Sequence, residues 1–204
     1  MLAWRENRRR GRSPIMKPAR RRATYDDVLN APEHVVAEII DGDLYTTPRP
    51  ASPHARAASM IGSQLMGPFD GPPGGADAPG GWWILFEPEL HLGSDVVVPD
   101  LAGWRRERMP QLTNVPYFTQ APDWICEVVS PTTGRLDRVR KMRLYAREHV
   151  TYAWLVDPLQ KTLDVYRLEG ERWVVASTHG GDEQVRAEPF DAIELPLARW
   201  WIEA

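Results

Sequence analysis

The sequence predicts an α/β (α+β) protein: a central mixed β-sheet flanked by helices, with a β-hairpin near its N-terminus. Three observations carry this. The local signals run in the order helix, hairpin, helix, three strands, helix, three strands, which suits a layered α and β sandwich. The chain has 204 residues, 43% of them hydrophobic, enough for one substantial core. Asp41-Gly42 between two apolar runs is the strongest short-range hairpin cue.

The elements follow in order. Thr24 caps a short helix with Asp26 and Asp27 in its first turn, ended by Asn30-Ala31-Pro32. Val35 to Ile40 and Asp43 to Thr46 form the hairpin, with Glu38 on its first strand. From Ser52-Pro53-His54, Ala58, Ile61, Leu65 and Met66 recur at helical spacing until Pro68. Gly71 to Gly81 is a glycine- and proline-rich loop without a Walker-type lysine. Trp82 to Leu92 alternates as one half-buried strand, with Ile84, Phe86, Leu90 and Leu92 on one face.

A turn at Gly93-Ser94-Asp95 leads into a strand from Val96 to Trp104, in which Asp100 shares the face of Val96, Val98 and Ala102. Residues 105–122, punctuated by prolines, read as a loop. The next strand, Asp123 to Val129, sets Glu127 on the face of Ile125 and Val129. Ser130-Pro131-Thr132-Thr133 then caps a helix with a core stripe of Leu136, Val139, Met142 and Ala146, and Asp137, Lys141 and Tyr145 on an adjacent face. Three further strands extend the sheet, and the aromatics of the tail close the core or a subunit interface.

Charge is unevenly spread. Residues 1–24 hold nine basic residues against Glu6, a charge of +8, and the remainder holds 16 against 27 acidic, a charge of −11. Residues 1–23 read as a basic tail, disordered or preceding a true start at Met16, and 24–204 as a single domain. No apolar run nears the length of a membrane span and no secretory signal is present, so a cytoplasmic protein is expected. The lone Cys126 excludes a disulfide framework and a cysteine-cluster zinc site.

Asp100 and Glu127 are the chemical anomaly. A carboxylate among β-branched residues is costly to bury unless a cation or proton compensates it. Hydrolysis of a phosphodiester uses hard divalent cations, which prefer oxygen ligands, and a nearby lysine can orient water or offset developing charge. Asp100 and Glu127 are candidate ligands and Lys141 is the candidate lysine, although Lys141 could equally be an exposed partner of Asp137.

Pro99-Asp100 followed by Glu127-Val128-Val129 resembles the strand pair of the PD-(D/E)XK nuclease superfamily. More closely, the chain resembles the Uma-two family. The resemblance rests on six ordered blocks: Glu38 to Leu44, Ser52-Pro53-His54, Val98 to Leu101, Glu127 to Thr133, Asp137 to Lys141 and Trp154 to Pro158. It implies a restriction endonuclease-like fold and a DNA endonuclease using Mg²⁺, with Mn²⁺ a substitute, acting as a homodimer without an organic cofactor. It also implies Asp100, Glu127 and Glu38 as metal ligands and Lys141 as a catalytic residue. One departure stands out: the superfamily lysine two residues after the glutamate is Val129 here, and its role passes to Lys141 on the following helix. A nuclease-fold module that binds nucleic acid or protein with little or no catalysis is the alternative.

Overall fold

The computed structural model describes residues 21–74, 78–131 and 133–202; most of the predicted basic tail, residues 1–20, lies outside them. Helix α1 (Tyr25–Leu29) begins at Thr24, whose backbone N–H donates to the Asp27 carboxylate at 2.8 Å. Strands β1 (Val35–Ile40) and β2 (Asp43–Pro48) form the expected hairpin, with both turn residues, Asp41 and Gly42, in the left-handed region. Helix α2 (Ser52–Phe69) buries Ala57, Ile61 and Leu65, and Pro68 sits inside its final turn.

The long hairpin after the glycine-rich loop bends where the sequence suggested straight strands. Residues 82–92 divide into β3 (Trp82–Phe86) and β4 (Leu90–Leu92), and residues 95–105 into β5 (Asp95–Val97) and β6 (Leu101–Arg105). The pairs Phe86↔Leu101 and Leu90↔Val97 belong to one continuous register, broken only at the bend. Glu87 lies in the left-handed region at the bend, and Pro88 and Pro99 have no N–H to offer a ladder. The outer half therefore joins one sheet and the inner half another. As a result Phe86 is 45% exposed, and Asp100 occupies the bend rather than the middle of a strand.

Strand β7 (Trp124–Val128) precedes a π-helical stretch, Leu136–Lys141, that continues as α3 (Met142–Arg147). Strands β8 (Tyr152–Asp157), β9 (Thr162–Glu169) and β10 (Arg172–Gly180) follow, then the short pair β11 (Gln184–Val185) and β12 (Leu195–Pro196), and a 3₁₀ turn at Leu197–Trp200. The main sheet has the order β10-β9-β8-β7-β6-β3. Only β7 and β8 run parallel, because the helix between them supplies the crossover. The second sheet, β2-β1-β5-β4, is antiparallel.

The two faces of the main sheet bury different material. On one, α2 and the C-terminal segment pack against Trp124, Cys126, Val128 and Trp154. Trp200 and Phe190 are fully buried there, so the tail aromatics close the core. On the other, α3 and the second sheet cover Ile125, Val129, Ala153 and Leu155. The helix turns most of the predicted stripe inward: Met142 and Ala146 are buried and Leu136 packs against the core, but Val139 is left out of it. Val139 is 41% exposed, whereas Asp137 and Lys141 are buried. A hydrophobic pattern cannot foresee charged groups that are buried because they compensate one another.

Candidate active site

The four acids and two bases of the site come from five separate elements. Asp100 stands at the bend between β5 and β6. One of its oxygens accepts the Val128 backbone N–H at 2.7 Å, and the other lies 3.2 Å from His54 Nε2. The pairing Leu101↔Cys126 sets Asp100 opposite Glu127 when the antiparallel register is continued by one residue. Glu38, on β1, is aimed in from the second sheet, and its Oε1 accepts the Val98 N–H at 2.8 Å. The bend of the long hairpin thus brings Val98 and Asp100 to the junction of the two sheets.

Lys141 reaches the same point from the π-helical stretch. The Met142 N–H donates to the Asp137 carbonyl, five residues back. This wider turn brings residues four apart closer into line, and π-turns recur at functional sites. Its ammonium lies 2.8 Å from Glu38 Oε1, 3.1 Å from Glu127 Oε1 and 3.8 Å from Asp137. The Tyr145 hydroxyl donates to Glu127 at 2.5 Å. Lys141 and Glu127 are only 4% and 3% exposed, so these contacts act largely unscreened by water.

Burial pushes the Glu127 carboxyl well above its ordinary range, against the pull of Lys141, and Asp137, Asp100 and Glu38 push the same way. Asp137 is raised by burial too. Burial alone would lower the Lys141 ammonium, but Glu127 and Glu38 outweigh it and hold it well above the usual lysine value. His54 follows the same logic: burial lowers it, and the hydrogen bond to Asp100 carries it above its ordinary value. Its Nδ1 is buried without a hydrogen-bond partner among the described residues.

Glu38, His54, Asp100, Asp137 and Lys141 line a cleft of about 340 Å³. Glu127 does not line it; its carboxylate is taken up by Lys141 and Tyr145. A roomier hollow of about 550 Å³ lies beneath the 108–120 loop, but its lining carries no carboxylate. Around the cleft, Glu38, Asp100, Glu127 and Asp137 face one ammonium and one imidazole, while Glu87 and Arg49, which also line it, pair with each other at 3.8 Å. With all four carboxyls ionised and His54 protonated, two negative charges would be left over, a load that goes with the raised carboxyls of Glu127 and Asp137. The donor set is all oxygen, as Mg²⁺ or Mn²⁺ requires, and a divalent ion would supply the missing charge. Among the described residues no three His, Cys, Asp and Glu side chains converge as a ready ligand set. Lys141 stands between Glu38 and Glu127.

A family model described as "Uma2: Putative restriction endonuclease" matches residues 23–198. The chain belongs to the Uma2 family. A crystal structure described as a "putative nuclease belonging to DUF820", from Anabaena variabilis, superimposes with a TM-score of 0.68 at 23% identity. The match covers 87% of this chain and 98% of that one. It shows that the fold is restriction endonuclease-like. No curated protein matches. Within this Uma2 fold, the sequence singled out Glu38, Asp100, Glu127 and Lys141, and all four lie at the sheet junction. Reading the sequence alone missed Tyr145 as a partner of Glu127 and Val98, whose N–H fixes Glu38. Tyr145 had a signal, its position four residues beyond Lys141 on one helix face.

No described helix of this Uma2 protein is long and apolar enough to cross a membrane.

Proposed function

We propose that this protein is a metal-dependent endonuclease that hydrolyses DNA phosphodiester bonds at the cleft lined by Glu38, Asp100 and Lys141, with Glu127 held beside it by Lys141. The observation that supports it most is the gathering of four carboxyls, Glu38, Glu127 and Asp137 buried and Asp100 half-buried, around one ammonium, where burial first and the neighbouring acids next raise Glu127 and Asp137. Such a cluster is costly without a cation, and its oxygens suit a hard one. Asp100, Glu127 and Glu38 would hold the ion. Mg²⁺ bound there would supply Lewis-acid polarisation of the phosphoryl oxygens and a lowered pKa for an attacking water.

The chain's own groups do the rest. Lys141, fixed between two carboxylates, places an ammonium where charge develops on the phosphoryl group. Tyr145 orients Glu127, and the Val128 N–H orients Asp100. His54 holds the other Asp100 oxygen, a second constraint on that carboxylate. A homodimer would set two such clefts against the two strands of a duplex.

Supercoiled plasmid, incubated with and without Mg²⁺ or Mn²⁺, tests the proposal. The wild type nicks only with the ion, and Asp100→Ala and Glu127→Ala do not nick while remaining folded. Unchanged cleavage in both variants would sink the assignment. A nuclease-fold binding module is the second reading, favoured by Val129 in the superfamily lysine's place and by Glu127 being taken up by Lys141 and Tyr145. Ion-independent DNA binding without nicking would support it.

A further inference from the structure

Adjoining the acidic cleft is a groove of about 640 Å³ with the opposite character. One wall is β2, with Tyr45 and Thr47; the other is the helix after β7, which contributes Arg135, Arg140 and Arg143. Thr47 lines both the groove and the cleft, so the two hollows adjoin at β2. All three arginines are exposed. The groove's one acid, Asp41, is shared between Arg140 at 3.5 Å and Arg147 at 3.7 Å. Arg135 and Arg143 have no acidic partner among the described residues.

This concentration runs against the rest of the molecule, since residues 25–204 carry a charge of −11. The same helix that turns Asp137 and Lys141 into the cleft turns Arg135, Arg140 and Arg143 outward. A substrate whose reacting phosphate entered the cleft would bring the phosphates beside it to these guanidinium groups. Arginine presents a rigid fork of donors that matches phosphate oxygens.

We propose that this groove is the track for the DNA strand flanking the scissile bond, with Arg135 and Arg143 contacting its backbone phosphates. The inference rests on the nuclease reading and extends it: the substrate is a polynucleotide gripped over several phosphates, not a small phosphate ester. Such contacts fix register and orientation without reading sequence.

The test is binding of the full-length chain to a fluorescein-labelled 20-base-pair duplex, followed by anisotropy in Ca²⁺ across a salt series. Arg135→Ala/Arg143→Ala should weaken binding about tenfold or more near physiological salt. It should also reduce the slope of log affinity against log salt by about two, near 0.9 for each phosphate that is no longer neutralised. Arg135→Lys/Arg143→Lys should recover much of the salt slope. Arg172→Ala/Arg199→Ala, an equal charge change elsewhere on the surface, should leave affinity within about twofold. The inference is overturned if the groove variant binds like wild type, if the control weakens binding equally, or if the wild type does not bind the duplex. Cleavage is scored separately. A chain that binds through the groove yet never cuts keeps the inference and ends the nuclease reading.

Discussion

The two faces of β7 are buried to the same degree and solve opposite problems. One face sets Trp124, Cys126 and Val128 against Trp154, Phe190 and Trp200, with the Trp124 and Phe190 rings 4.9 Å apart and edge-on. The other sets Ile125, Glu127 and Val129 against α3 and the second sheet, and its centre is Glu127 bound to Lys141 and Tyr145. Area and packing stabilise the first face. Desolvation works against the second, where each charged group is tolerable only because the others are present. An aromatic face can lose a ring and lose only stability, whereas on the proposed reading the charged face has chemistry to lose as well.

The largest effects should break each face separately. Trp154→Ala removes a fully buried ring from the aromatic face and should cost about 3–5 kcal/mol in urea unfolding, with residual activity tracking the folded fraction. Lys141→Met should cost a similar ~3–5 kcal/mol, since it leaves Glu38, Glu127 and Asp137 buried without their shared cation. Unlike the tryptophan variant, its folded fraction should be inactive by about 10²-fold or more in plasmid nicking. Activity loss of equal size per folded molecule in both variants would erase the distinction between the faces.

pH sharpens the comparison next. The carboxyls of Glu127 and Asp137 and the imidazole of His54 are all raised in the folded state, so the native protein binds more protons than the unfolded chain between the ordinary and the raised values. Stability is therefore greatest below the ordinary carboxyl values of 4.5 and 3.8 and is lost as pH rises through the raised ones. His54 adds its loss above 6.5. Melting temperature without divalent ions should fall from pH 4 to pH 8, and Glu127→Gln should flatten that fall. A melting temperature that rises over this window would contradict the charge assignment.

Smaller effects test the details. Tyr145→Phe removes one hydrogen bond to a charged group and should cost about 1.5–3 kcal/mol, read as a shift in the urea midpoint. Val139→Ala should cost no more than about 0.5 kcal/mol, because that side chain faces out. A core-sized loss at Val139 would put it back in the inward stripe with Leu136, Met142 and Ala146.

Much of this was visible in the sequence, for physical reasons that differ from residue to residue. Asp41-Gly42 announced its hairpin because few other pairs accept two left-handed residues. Asp100 and Glu127 stood out because carboxylates in apolar strands demand an explanation. The bend at Glu87 and Pro99 was hidden because alternation persists across it, although the strands on either side belong to different sheets. The orientation of the helix after β7 was hidden more deeply. Asp137 and Lys141 face inward in compensation for partners on other elements, and Glu38 is about a hundred residues away in sequence. The π-turn that aligns them leaves no mark in spacing.

The central claim is that the charged face of β7 holds a divalent cation. Isothermal titration of the apo chain with Mn²⁺ at several pH values, with Glu127→Gln and Asp100→Asn alongside, tests it most directly. We expect saturable binding that releases protons, tightens as pH rises and is abolished in both variants. No binding, or binding unchanged in the two variants, would contradict it.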